Sequence, residues 1–208
     1  MNSNIIKIIE INNLTKYYGK NKVLDIPYFC FYESFSYLLV GENGAGKSTL
    51  IKLITNMIKA SSGKVFTNAK ISYVPEKFSF PDNVSAFSFL DNLCKVRNNK
   101  SKINQVKYLL KWWDIDGAKK ISSLSKGMKQ KLLILQAIID EADLYIFDEP
   151  LNGLDPKAQA DFIQVLKNLK NLNKTIIVCT HYEKYYESFF DYYIYFNGGI
   201  INEANKFN

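Results

Sequence analysis

Gly41-Glu42-Asn43-Gly44-Ala45-Gly46-Lys47-Ser48-Thr49 lies between an apolar run, Tyr37-Leu38-Leu39-Val40, and a helix-like pattern, Leu50-Ile51-Lys52-Leu53-Ile54. That is strand, glycine loop, helix, with the spacing GxxxxGK[ST]. Glycine opens backbone conformations closed to other residues and lets the chain approach a ligand closely. Successive N–H groups then converge at a helix N-terminus, which suits a chain of phosphates. In this reading Lys47 reaches the outer phosphates and Ser48 offers its hydroxyl to Mg²⁺. The stretch predicts a nucleoside triphosphate site. It leaves open what the hydrolysis drives.

The bulk properties narrow the class. A chain of 208 residues can bury a full core as one domain, or as a domain with a lobe. No window approaches the run of about 18 apolar residues that a membrane span needs. The N-terminal MNSNIIKIIE lacks a cleavable signal pattern, since Lys7 and Glu10 interrupt its apolar residues, so a cytoplasmic location is expected. Cys30, Cys94 and Cys179 are scattered and lack CxxC spacing, which supports neither a disulfide framework nor a zinc site. The net charge of +7 comes from lysines spread along the chain, so it reads as compositional and no direct nucleic-acid partner is expected. Arg97 is the lone arginine, which argues against an arginine finger supplied by this chain.

Taken in order, residues 5–11 predict a strand, Asn12 to Lys20 a segment ending in a glycine turn, and 23–26 and 27–31 two further short strands. An antiparallel layer before the loop strand is expected. Tyr17 and Tyr18 are adjacent, so in a strand one would be core while the other offers its ring to a purine. Residues 47–58 predict a helix, and 64–66 and 71–74 strands, the second ended by Pro75-Glu76. From about residue 77 the composition turns aromatic and helical: 82–93, with Ser85 or Asp82 as N-cap, then 103–113 and 128–139. That stretch, 77–139, reads as an inserted lobe. Leu144-Tyr145-Ile146-Phe147 followed by Asp148-Glu149 reads as a buried parallel strand ending in carboxylates. A helix over 157–171, a strand over 175–180 ending at His181, a short helix with Tyr185 and Phe189, and a hairpin about Asn197-Gly198-Gly199 close the chain. The alternation implies an α/β fold with a mostly parallel sheet.

In an open parallel sheet, ligands sit at the carboxyl ends of the strands. The chain brings the glycine loop, Asp148, Glu149 and His181 there. Asp148 suits an indirect hold on Mg²⁺, through the ion's own ligands, opposite Ser48. Glu149 can accept a proton from an attacking water. His181 can touch a γ-phosphate and orient that water.

This set resembles the nucleotide-binding subunit of ATP-binding cassette (ABC) proteins over about residues 5–200. The most specific element is LSKGMKQKL at 124–132, which resembles the ABC signature motif and carries Ser125, Lys126, Gly127 and Met128. GENGAGKST is similar to Walker A, with Gly41 to Thr49 as ATP-binding residues. LYIFDEP is similar to Walker B, with Glu149 as its catalytic glutamate. Leu151 to Asp155 resembles the D-loop, His181 the switch histidine, and Tyr18 the aromatic that stacks on adenine. The resemblance implies a P-loop NTPase core over 1–76 and 140–208, an N-terminal antiparallel β layer, and a helical subdomain over 77–139. It also implies ATP and Mg²⁺, with Lys47, Glu149 and His181 as catalytic residues.

Two positions depart from the family pattern. Glu76 stands where a glutamine is usual, and is expected to keep that residue's place near Mg²⁺ or the water. Lys126 and Met128 replace a glycine and a glutamine in the signature. The resemblance implies a head-to-tail dimer, of two copies or with a second ABC subunit, each ATP lying between one Walker A and the partner's signature. Its membrane partner would be a separate permease, holding the chain on the inner face of the cell membrane. Phe78, Phe80, Phe87 and Phe89 lie where family members form the groove for a permease segment. The short signature and compact length resemble exporter-type subunits for drugs, bacteriocins or lantibiotics. The alternative is a soluble ABC ATPase, such as one of iron–sulfur cluster assembly.

Overall fold

β-branched and aromatic residues dominate the N-terminal segment, and they make two long strands where the pattern predicts several short ones. β1 (Lys7–Tyr18) and β2 (Asn21–Tyr32) pair antiparallel across a turn at Gly19. Ile9 and Ile11 are buried, and so is Leu14. The change of face falls at Asn13, whose φ of 47° is left-handed. Pro27 stands opposite Asn13, between the pairs Asn12↔Tyr28 and Leu14↔Ile26. Proline has no N–H to donate, and β2 is the edge of its sheet, so it sits there without breaking the strand. β4 (Ser62–Thr67) adds to the other side of β1 and completes a three-stranded antiparallel sheet. The expected antiparallel layer therefore exists, but one of its strands follows the glycine loop in sequence.

The computed structural model describes residues 6–96, 102–139, 141–186 and 189–206. A second, six-stranded sheet carries β3 (Ser36–Val40), β5 (Ile71–Val74), β6 (Leu144–Asp148), β7 (Thr175–Thr180), β8 (Tyr192–Asn197) and β9 (Ile200–Lys206). Its order is β5-β6-β7-β3-β8-β9. β6, β7, β3 and β8 run parallel, and β9 returns antiparallel. Every residue of β6 and β7 is buried, as strands covered on both faces require. The α/β class and the mostly parallel sheet are as expected.

The helices are α1 (Lys47–Ile54), α2 (Ala86–Val96), α3 (Ile103–Trp112), α4 (Lys126–Ile138) and α5 (Pro156–Asn171). α1 ends four residues short of the predicted 58 because Asn56 turns left-handed, at φ 57°, after the Thr55 cap. α2 starts at Ala86, and of the two candidate caps Ser85 serves: its Oγ accepts from the Ser88 N–H at 3.1 Å. Glu183–Tyr186 forms a single 3₁₀ turn, shorter than the predicted helix and without Phe189. Arg97 lies outside the described residues.

The chain divides into two compact units. One spans residues up to 73, 142–149 and 168 onward, and holds both sheets, apart from Val74, together with α1. Its core joins Ile9, Ile11, Phe31, Leu39, Ile146 and Ile177. The other spans 74–141 and 150–167, with α2, α3, α4 and most of α5. There Leu90, Val106, Trp113, Leu132, Leu135 and Phe162 are buried.

Candidate functional site

Strand register brings the site together. Leu39 of β3 and Asp148 of β6 both pair with Cys179 of the strand between them, so the three strands end side by side. The chain leaves β3 into the glycine loop, β6 into Glu149, and β7 into His181. Glu149 turns left-handed at once, with φ 49°, a conformation that costs a non-glycine residue roughly 1–2 kcal/mol. Its N–H donates to the Cys179 carbonyl at 2.9 Å, which holds the turn in place.

The Glu149 side chain is buried and doubly held. His181 Nδ1 lies 2.7 Å from Oε1, and Thr180 Oγ1 donates to Oε2 at 3.3 Å. Asp148 is also buried. Burial, and then the Asp148 charge, push the Cys179 thiol well above its usual value, so it is an inert wall of the site.

The glycine loop starts with a tight turn, the Ala45 N–H donating to the Glu42 carbonyl at 3.1 Å. Gly46, at φ 105°, is the N-cap of α1. A Cβ on Gly46 would lie 2.8 Å from Leu24 Cδ2 and 2.9 Å from the Val23 carbonyl, so only glycine fits. Lys47 is buried, and its Nζ donates to the Gly41 and Glu42 carbonyls, folding the cation back over the loop. Ser48 and Thr49 follow in the first turn of α1, half-buried. Gly41 to Ala45 and residues 196–198 line a cavity of about 480 Å³.

A family model described as ABC transporter matches residues 24–152. An ABC transporter ATP-binding protein of Methanocaldococcus jannaschii is 35% identical over 187 residues, 83% of this chain and 68% of its own. A zinc import ATP-binding protein of Rickettsia prowazekii is 35% identical over 181 residues, covering 84% of this chain and 76% of its own. This chain belongs to the ABC transporter ATP-binding family. A solved ATP-binding subunit of an ABC transporter superimposes with a TM-score of 0.88 at 25% identity, over 96% of this chain and 90% of that one. The cassette is accordingly an ABC-type ATPase that binds ATP.

The remaining predicted residues lie as follows. In the unit holding the signature, Ser125 caps α4, its Oγ accepting from the Met128 N–H at 3.2 Å. Ser125 and Lys126 are exposed, Gly127 and Met128 half-buried. A Cβ on Gly127 would lie 2.6 Å from the Gly153 carbonyl, so the D-loop packs directly on the signature backbone. Gln130 Nε2 donates to the Pro150 carbonyl at 3.2 Å. Asp155 accepts from the Ala158 N–H at 2.9 Å, which holds its carboxyl below the usual value, and it lies 3.5 Å from Lys131. Glu76 is exposed after β5, in that same unit.

Tyr18 and Tyr17 correct one expectation. Neither is core: they are 50% and 41% exposed, because the strand here runs out beyond the packed face toward the Gly19 turn. Lys16 Nζ sits 5.1 Å over the Tyr18 ring and Lys22 Nζ 5.8 Å over Tyr17.

Two participants escaped the sequence reading. Thr180 holds the second oxygen of Glu149; a hydroxyl ending an apolar strand beside the histidine is its only trace. Gly199 holds the loop: its N–H donates to the Ala45 carbonyl at 3.0 Å and its carbonyl accepts from the Asp25 N–H at 2.9 Å. The paired glycines marked a hairpin turn, and nothing in them marked the loop as its neighbour.

Proposed function

We propose that this cassette is a single ABC ATPase domain, with residues 77–139 as its helical subdomain, that powers transport through a separate membrane permease. Two subunits would close head to tail on ATP, as two copies or with a second ABC subunit. Each nucleotide would lie between Gly41–Thr49 of one and Ser125, Lys126, Gly127 and Met128 of the other. Tyr18 would stack on adenine. Lys47 would exchange its two carbonyl partners for the outer phosphates. Hydrolysis would reopen the pair.

The observation that carries this reading is the 2.7 Å contact between His181 and Glu149 beside the glycine loop. A carboxylate held at both oxygens is a fixed acceptor for the proton of an attacking water. His181, bonded to it through Nδ1, would offer its other ring nitrogen to a γ-phosphate while staying seated on the carboxylate.

Mg²⁺ fits the donors present. Ser48 offers a hydroxyl and Asp148 a buried carboxylate, the hard oxygen ligands this ion takes. Among the described residues no cluster of three or more His, Cys, Asp or Glu could hold a metal alone. Mg²⁺ needs no such cluster, because it keeps waters and substrate phosphates as ligands. When bound it would neutralise charge on the phosphates. Glu76 would stand near it or near the water.

Among the described residues no helix is long and apolar enough to cross a membrane, and the permease of this proposal would supply the membrane path. Phe78, Phe80 and Phe89 form a chain of edge-on contacts at 4.8 and 5.4 Å, with Phe78 48% exposed, and are the surface we assign to the permease. Such docking would hold the cassette at the inner face of the cell membrane. Export is the direction suggested by the short signature. A second reading, import of a metal ion, is favoured by the relatives named for zinc import.

The test is Glu149→Gln. It should bind ATP, form a stable ATP-dependent dimer by light scattering, and lose turnover by about 100-fold or more. Wild-type turnover in this variant would remove Glu149 as the base.

A further inference from the structure

Tyr182 touches both groups that hold Glu149. Its ring lies on the His181 imidazole, with centroids 3.8 Å apart and planes at 44°. Its N–H donates to Thr180 Oγ1 at 3.0 Å, and that oxygen in turn donates to Glu149 Oε2. The Tyr182 ring also makes a T-shaped contact with Tyr185, centroids 6.2 Å apart and planes at 85°. Tyr182 is 51% exposed, so it contributes little to a core.

A histidine just past a strand end has free rotamers, and fixing one costs side-chain entropy. Its hydrogen bond to Glu149 is a single contact at a residue already 28% exposed in its side chain. An aromatic ring laid on the imidazole removes that freedom from one side. Because the ring is exposed, it can stay on the histidine without a rearrangement of the packed strands.

We propose that Tyr182 is a positioning residue for hydrolysis, its ring keeping the His181 imidazole seated on the Glu149 carboxylate. This rests on the assignment of Glu149 and His181 made above and adds a residue that neither motif contains. Tyr182 makes no step of the reaction itself. It acts by keeping one imidazole orientation populated, and its ring matters more than its hydroxyl.

The chain has one histidine, so the imidazole C–H signals in an NMR spectrum belong to His181 alone. In the wild type these signals should be shifted upfield by the Tyr182 ring current relative to Y182L, which keeps apolar bulk without a ring. Y182L should lower kcat about fivefold, the scale of one aromatic pair, with KM for ATP unchanged. Y182F should restore both the shift and the rate. Imidazole signals at the same position in wild type and Y182L, or a wild-type kcat in Y182L, would overturn the proposal. Glu149→Gln separates the two levels. If it is inactive while Y182L turns over normally, Tyr182 alone loses its role. If Glu149→Gln itself turns over normally, the underlying assignment falls.

Discussion

Gly199→Ala should loosen the nucleotide loop from a position 150 residues and more downstream of it. Gly199 sits at φ 83°, a left-handed conformation that costs an L-residue roughly 1–2 kcal/mol. A Cβ there would lie 2.2 Å from the Val23 carbonyl oxygen and 2.7 Å from its carbon. Both are backbone atoms of a paired strand, so the turn has to move. Moving it stretches the bonds to Ala45 and from Asp25, each worth about 0.5–1.5 kcal/mol net. Together the terms come to about 2–5 kcal/mol, or roughly 4–20 °C in melting temperature for a chain of this size. The control is the neighbouring glycine. Gly198 is also left-handed, at φ 55°, but a Cβ there meets nothing within 4 Å, so Gly198→Ala should cost only the backbone's roughly 1–2 kcal/mol. The loop consequence is read by titrating a fluorescent ATP analogue. Gly199→Ala should weaken its binding, since Ala45 loses its anchor, and Gly198→Ala should not. Equal melting temperatures and equal affinities in the two variants would refute the idea that the hairpin turn clamps the loop.

Asp155→Ala removes the acceptor for the Ala158 N–H at the start of α5 and should lower the urea midpoint of unfolding, with Asp155→Asn recovering most of the loss. Asp191 accepts from the Ser36 N–H at 2.8 Å, the Ser36 hydroxyl at 2.6 Å and Lys170 at 2.9 Å. Burial would raise its pKa, but the hydrogen bonds from Ser36 and Lys170 outweigh that and hold the carboxyl below its usual value. A depressed carboxyl stabilises the fold above its unfolded pKa of about 3.9 and loses that as pH falls through the folded value. Melting temperatures of wild type and Asp191→Asn should therefore differ most near neutral pH and converge as pH drops below about 4. A gap that persists undiminished at low pH would show that the charge is not what stabilises the cluster.

Much of the site was legible because its chemistry depends on local spacing. Gly41 to Thr49 makes a strand–loop–helix turn through residues that are neighbours in the chain, so their pattern announces it. Asp148 and Glu149 follow an apolar strand directly, and the buried β6 ends where that pattern says. The long antiparallel strands were harder. Asn12 to Lys20 reads as a turn-bound segment by composition, yet Asn13 and Pro27 are absorbed by facing each other across the ladder at a sheet edge. Only a partner strand can make that compensation, and neither residue's immediate neighbours announce it.

The sequence by itself determined the phosphate loop, the carboxylates after β6, the signature at the start of α4 and the family that combines them. Each rests on residues adjacent in the chain, where backbone geometry and helix capping act over a few bonds. The tertiary structure alone decided that Glu149 is held by Thr180 and His181, that Tyr182 lies on that histidine, and that Gly199 braces Ala45. Those contacts join segments 31 to 154 residues apart or depend on which way a ring turns at a strand end. The parallel register of β6, β7, β3 and β8 brings the distant segments together, and that register is set by the packing of their buried faces.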